Sequence, residues 1–203
     1  MIVEQLQVGS MQNFAYVIGD EDGGTGAIID PSAEFERLLA AAKGHRLRLT
    51  HVFNTHSHRD HTGGNDFFKS RGLKLVAYKS APTEPDIMVD HGDTVEVGKL
   101  AVKVLYTPGH IQDAVCYLAG DYLFTGDTLF VGECGRVDLP GSDVHAMHHS
   151  LLTVLRGLPD ELIVMPGHNY GPAPRRTLGE EKRLNYTLKP RTLEEFEAFM
   201  RGP

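Results

Sequence analysis

The first stretch of the chain, IVEQLQV, mixes apolar and polar positions with the two-residue period of a half-buried strand. NFAYVIG and GAIID read as further strands, parted by the turn-rich DEDGGTG. The spacing then changes. In PSAEFERLLAAAKG, Phe35, Leu38, Leu39 and Ala42 recur at helical intervals, with Ser32 placed to cap the helix and Gly44 to stop it. LRLTHVFN returns to strand, HTGGNDFFKSRG predicts a helix, and LKLVAY another strand.

The second half repeats this order loosely. DTVEVGKLAVKVLY predicts two strands turning at Gly98-Lys99, and AVCYLAGDYLFTGD a hairpin turning at Gly120-Asp121. SDVHAMHHSLLTVLRGLP predicts one helix capped by Ser142 or Asp143, and ELIVM a short buried strand. TLGEEKRLNYTL and TLEEFEAFMRG predict two closing helices at about 177–201, each opened by a Thr with Glu three residues on, as in a capping box. Strands dominate each half and helices close it. Two sheets packed face to face with helices outside satisfy that pattern, within a single domain spanning 1–203.

Composition narrows the function. Of 203 residues, 41% are hydrophobic, enough for a sizeable core, and the net charge of −7 argues against binding nucleic acid, whose phosphates need a basic field. No apolar run approaches the roughly 18 residues of a membrane helix, and MIVEQLQVGS lacks the basic and apolar regions of a signal peptide. Two cysteines, Cys116 and Cys134, make no disulfide framework, so a cytoplasmic setting is expected. A homodimer would be ordinary for such a chain.

The chemistry gathers where strands end. HVFN runs into His56, His58, Asp60 and His61; VKVLY into Thr-Pro-Gly-His110; YLF into Thr-Gly-Asp127; LIVM into Pro-Gly-His168. Loops on a rigid scaffold commonly carry function. A lone His is most often a surface or satisfied core residue. Four titratable groups within six residues have no use in packing, and burying them unpaired is costly. Neutral imidazole and carboxylate are the usual ligands of zinc, iron and manganese. Seven such ligands exceed the needs of one ion with an open position. They suit two divalent ions that share a carboxylate and a bridging hydroxide.

THSHRDH, TPGH, TGD and PGH, in this order, resemble the metallo-β-lactamase-fold superfamily, and the resemblance covers nearly the whole chain. It implies an α+β fold, a four-layer αββα sandwich of two mixed β-sheets flanked by helices, with metal at one edge. It assigns His56, His58 and His110 to a first metal, Asp60, His61 and His168 to a second, and Asp127 to the bridge. TGDTLFVGECGRVDLPG is similar to the corresponding segment of glyoxalase II (hydroxyacylglutathione hydrolase) and of the persulfide dioxygenases. Two features depart from those relatives: IQDA after His110, and Glu133 where Gly is more usual. The basic helical extension that holds the glutathione carboxylate in glyoxalase II has no counterpart in the short stretch after His168, which leaves the carrier thiol open.

Two activities follow from the resemblance. The first is hydrolysis of the thioester of a small hydroxyacid by a metal-bound hydroxide, with Asp60 and Asp127 catalytic. Arg136 would hold a substrate carboxylate in its planar fork and Tyr170 would hydrogen-bond the substrate. A thiolate leaving group, of pKa about 8.5, needs little acid assistance. The alternative is persulfide oxidation at a single Fe(II) held by His56, His110 and Asp127. The glyoxalase reading takes precedence, with a small-molecule thioester or persulfide as the partner. A third class, a di-iron redox module served by a flavodoxin domain, finds no such domain attached.

Other groups read as structural. Cys134 and Cys116 fit a turn and a strand core. His145, His148 and His149 share a helix face without a carboxylate and read as solvated. Arg175, Arg176, Lys182 and Arg183 beside Glu180 and Glu181 read as a salt-bridged helix, or else as a site for an anionic carrier.

Overall fold

Alternation along the strands decides how the layers stack. The computed structural model describes residues 1–20 and 24–201; three residues of the DEDGGTG turn lie outside that range. In strand β2 (Asn13–Gly19), Phe14, Tyr16 and Ile18 point to one core, and Ala15 and Val17 to another. Strands β3 (Thr25–Ile29), β4 (Arg48–Phe53) and β5 (Lys74–Tyr78) divide in the same way. With β1 (Ile2–Val8) and β6 (Ile87–Val89) they form a sheet ordered β1-β2-β3-β4-β5-β6, antiparallel as far as β3 and parallel from there.

The second sheet contains β7 (Thr94–Val97), β8 (Leu100–Tyr106), β9 (Val115–Ala119), β10 (Tyr122–Gly126), β13 (Ile163–Pro166) and β14 (Arg176–Thr177), ordered β14-β13-β10-β9-β8-β7. Only β10 and β13 run parallel. A small hairpin, β11 (Leu129–Phe130) with β12 (Glu133–Cys134), follows Asp127.

Three cores hold the layers together. Between the sheets, Tyr16, Ile29, Phe53 and Val76 meet Val102, Val104, Tyr117, Phe124 and Met165. Outside the first sheet, Val17, Ile28 and Val52 pack on Leu38 and Ala42 of α1 (Phe35–Gly44) and Phe68 of α3 (Asn65–Lys69). Outside the second, Cys116, Leu123 and Val164 pack on Met147 of α4 (Val144–His149), Leu178 of α5 (Leu178–Leu184) and Phe196 of α6 (Leu193–Met200). The architecture is the expected four-layer αββα sandwich of mixed sheets. No helix among the described residues is long and apolar enough to cross a membrane.

Local expectations fare unevenly. Both capping boxes are present, Thr177 with Glu180 and Thr192 with Glu195, and Asp143 caps α4. Ser32 does not cap α1: Glu34 occupies that position at φ 53°, and the Ser32 hydroxyl is buried without a partner. α1 does end at Gly44 as expected, and the left-handed residue comes two positions later, at Arg46. HTGGNDFFKSRG forms two short pieces, α2 (Arg59–Thr62) and α3, because the chain turns in at Gly64 to bond the Pro31 carbonyl. The helix after Asp143 is α-helical only to His149 and continues as a π-helix, Ser150–Leu155, where the Ser150 hydroxyl reaches the Pro108 carbonyl at 2.6 Å.

Of the α4 histidines, His145 and His149 are exposed as expected and His148 is half-buried; His145 also pairs with Glu197 of α6, and His148 bonds the carbonyl of Arg191 just before α6 at 3.0 Å. Half of the basic patch is committed to structure: Arg176 pairs with the fully buried Glu181 and Lys182 with Asp160, while Arg175 and Arg183 are exposed.

Candidate metal centre

Strands β4, β8, β10 and β13 all run into turns at one edge of the sandwich, and the two sheets are stitched together there. Val115 N–H donates to the Thr55 carbonyl at 2.8 Å, Phe14 N–H to Gly167 at 2.8 Å, and the Tyr117 hydroxyl to Asn54 at 2.8 Å. The turns are tight for stated reasons. Gly109 has φ 145°, and a Cβ there would lie 2.5 Å from Met147. A Cβ on Gly167 would lie 2.4 Å from Asp127 Oδ1. Glycine therefore lets α4 and the Asp127 carboxylate close on the site.

All seven residues singled out by motif converge. His56, His58 and His110 form one group whose ligand atoms lie within 4.8 Å of each other, and Asp60, His61 and His168 form another. Asp127 stands between them, with Oδ1 3.3 Å from His61 Nε2, and Oδ2 3.3 Å from His168 Nε2 and 3.6 Å from His110 Nε2. In the first group His58 Nδ1 is 3.1 Å from His56 Nε2 and 3.0 Å from His110 Nε2. In the second, His61 and His168 Nε2 atoms are 3.2 Å apart, and Asp60 Oδ2 is 3.4 and 3.3 Å from them.

These separations test whether cations fit. Ligands about 2.0–2.1 Å from a tetrahedral ion lie about 3.3 Å from one another. The second group has that spacing, and in the first His58 Nδ1 comes close to it, at 3.0 and 3.1 Å from its two neighbours. Four imidazoles are also oriented from behind: Nδ1–H of His110 donates to Arg136 O at 2.9 Å, that of His168 to Met11 O at 2.9 Å, that of His61 to Asp30 Oδ2 at 3.0 Å, and that of His56 to Thr55 Oγ1 at 3.1 Å. Each bond fixes the tautomer and turns the Nε2 lone pair inward, the arrangement found behind metal-ligating histidines. Asp127 Oδ1 is buried and makes no hydrogen bond among the described residues. Lone pairs crowded this closely repel, and a cation between them removes the repulsion.

Electrostatics of the metal-free cluster agree. Burial pushes the Asp127 carboxyl up, but His61 and His168 overcome it and hold the group far below the usual range. Burial also opposes ionisation of Asp60, yet bonds to His168 and His61 hold it very low. His56 is kept neutral by burial and by the neighbouring His61. His168 goes the other way: against the effect of burial, Asp127 and Asp60 raise it to about 9. His61 is likewise raised, by Asp127 and Asp30. Protons on these two rings take the place of positive charge.

Above the cluster lies a cavity of about 540 Å³ walled by Met11, Arg59, Phe130, Glu133, Arg136 and Tyr170. Tyr170 stacks on His168 with ring centroids 4.5 Å apart. Arg136 reaches the wall with its guanidinium already engaged: Nε and Nη2 bond the two Asp138 oxygens at 2.6 and 2.7 Å. Glu133 is held by the Tyr186 hydroxyl. The thiols of Cys134 and Cys116 are buried and pushed up to about 12, as structural cysteines are.

Sequence reasoning missed the supporting residues. Asp30, at φ 50°, accepts Thr55 N–H at 2.8 Å, the Thr55 hydroxyl at 2.6 Å and His61 Nδ1–H. Asn13 Nδ2 donates to Asp60 Oδ2 at 2.9 Å. The signal for Asp30 was present: a carboxylate directly after the apolar GAII, as in YLFTGD. Nothing local marks Asn13.

Comparison with known proteins gives a coherent picture. The Metallo-beta-lactamase superfamily model matches residues 8–81 and 73–168. A hydroxyacylglutathione hydrolase of a Polaromonas species is 38% identical over 84% of this chain and 67% of its own length. The human mitochondrial persulfide dioxygenase ETHE1 is 31% identical over 92% of this chain and 75% of its own. The crystal structure of ETHE1 from Myxococcus xanthus superposes with a TM-score of 0.93 at 38% identity, covering 100% of this chain and 91% of that one.

Proposed function

The chain belongs to the metallo-beta-lactamase superfamily of metal-dependent enzymes, and from that premise we propose that it is a dinuclear hydrolase acting on the thioester of a small hydroxyacid. The observation that carries this reading is the pair of ligand groups at tetrahedral spacing on either side of Asp127. His56, His58 and His110 would hold one divalent cation, Asp60, His61 and His168 a second, and Asp127 would serve both. Zinc, iron and manganese all suit such a nitrogen and oxygen set. When bound, such ions bring the pKa of water near neutrality and polarise a carbonyl.

The chain's own groups supply the rest. Asp60 is fixed by Asn13 and faces the centre, where it can orient an attacking water. The Tyr170 ring, stacked on His168 with its edge to Phe130, forms a wall that places a hydroxyl beside the substrate. Phe130 is almost completely buried and keeps water from that side. A thiolate of pKa about 8.5 departs without a dedicated acid. Arg136 meets a substrate carboxylate in competition with Asp138, which already holds its Nε and Nη2.

A second reading is favoured by one observation, the full-length likeness to ETHE1 from Myxococcus xanthus. It is oxidation of a persulfide at one Fe(II) held by His56, His110 and Asp127. Thiol release from an S-lactoyl thioester tests the first reading. Asp127→Ala is expected to lose bound metal and hydrolysis together. A metal-replete, active variant would overturn the site assignment, and O₂ uptake with a persulfide but no thiol release would favour the second reading.

A further inference from the structure

Two arginines wall the cavity, and they differ in one respect. Arg136 is neutralised by Asp138 in a bidentate pair through Nε and Nη2. Arg59 is exposed and makes no hydrogen bond or ion pair among the described residues. Its nearest acid in sequence, Asp60, is turned inward to His61, His168 and Asn13. Asp127 faces His61, His110 and His168, and Glu133, the third carboxylate of the lining, is taken by Tyr186 and by its neighbour's N–H at 3.0 Å. Among the described residues, Arg59 is therefore the uncompensated cation of the cavity. Its backbone is anchored on both sides: Arg59 follows His58, whose carbonyl accepts from His61 N–H at 2.9 Å and Thr62 N–H at 3.2 Å at the opening of α2.

We propose that Arg59 is the specificity-determining residue of this cavity and reads a carboxylate on the thiol portion of the substrate. A guanidinium presents a planar fork that matches a carboxylate, and pairing the two costs no existing contact of Arg59. The same task given to Arg136 would set the substrate carboxylate beside that of Asp138, with one guanidinium to serve both. Selection for a carboxylate-bearing thiol thus falls to a residue inside the HxHxDH motif itself. The inference rests on the reading that the site takes thiol-derived substrates, without depending on which bond is cleaved.

The test compares two thiols that differ by one carboxylate, N-acetylcysteine and N-acetylcysteamine, titrated calorimetrically into the protein as purified. The wild type is expected to bind N-acetylcysteine about tenfold more tightly. Arg59→Gln should reduce that preference to less than about threefold by weakening N-acetylcysteine alone, and Arg59→Lys, which keeps the charge without the fork, should fall between. Absence of a preference in the wild type, or a preference that survives in Arg59→Gln, would overturn the proposal. Because the readout is binding, failure to hydrolyse a thioester would remove the hydrolase reading and leave Arg59 standing. Hydrolysis without carboxylate preference would do the reverse.

Discussion

His168 shows how one side chain serves the fold and the site by turns. Without metal its pKa is raised from 6.5 to about 9 by Asp127 and Asp60, against the effect of burial. Its protonated form therefore stabilises the metal-free protein fully below about 6.5, and that contribution fades as pH rises towards about 9. A ligand must be deprotonated, so cation affinity should move the opposite way over the same window. Zinc titrations are expected to show tighter binding at pH 9 than at 6.5, while the melting temperature of the metal-free protein falls. An affinity independent of pH would contradict this picture of the cluster. The seven ligand-type residues were legible in the sequence because four titratable groups in six positions have no packing role. Asp30 and Asn13 were not, since their meaning comes from partners distant in sequence: Asp30 bonds His61, and Asn13 bonds Asp60.

At the scale of elements, strands and turns deliver the site, and the helices mainly cover sheets. The Pro166-Gly167-His168 turn is the clearest case. Gly167 leaves room for Asp127 Oδ1, which a Cβ would approach to 2.4 Å, and for His61 Cε1 at 2.9 Å. Gly167→Ala is expected to fold, because this glycine does not need a positive φ, yet to lose about 10- to 100-fold in metal affinity by displacing the carboxylate. Unchanged affinity by competition with a chelator of known strength would show that the turn tolerates the methyl group. Turn and cap chemistry was readable where it is local: both Thr–Glu capping boxes and the turns beginning at Gly98 and Gly120 stand where the pattern placed them. It failed where tertiary contacts decide. The α2–α3 break is set by a bond from Gly64 to Pro31, and the half-buried His148 packs on Phe196 of α6.

For the whole molecule, strand alternation was enough to foresee two sheets with helices outside, since each sheet has two apolar faces to cover. Strand order and the short strands β6 and β14 were not foreseen; three and two residues carry too little period to read. The sandwich brings four strand ends, distant in sequence, to one edge, where a chain of net charge −7 concentrates imidazoles and carboxylates around one cavity. The central claim is that this edge holds two cations on ligand groups that share Asp127. Metal analysis of protein purified without added chelator or metal tests it most directly. The account predicts two divalent ions per chain; a single iron per chain, unchanged when zinc or manganese is supplied, would contradict it.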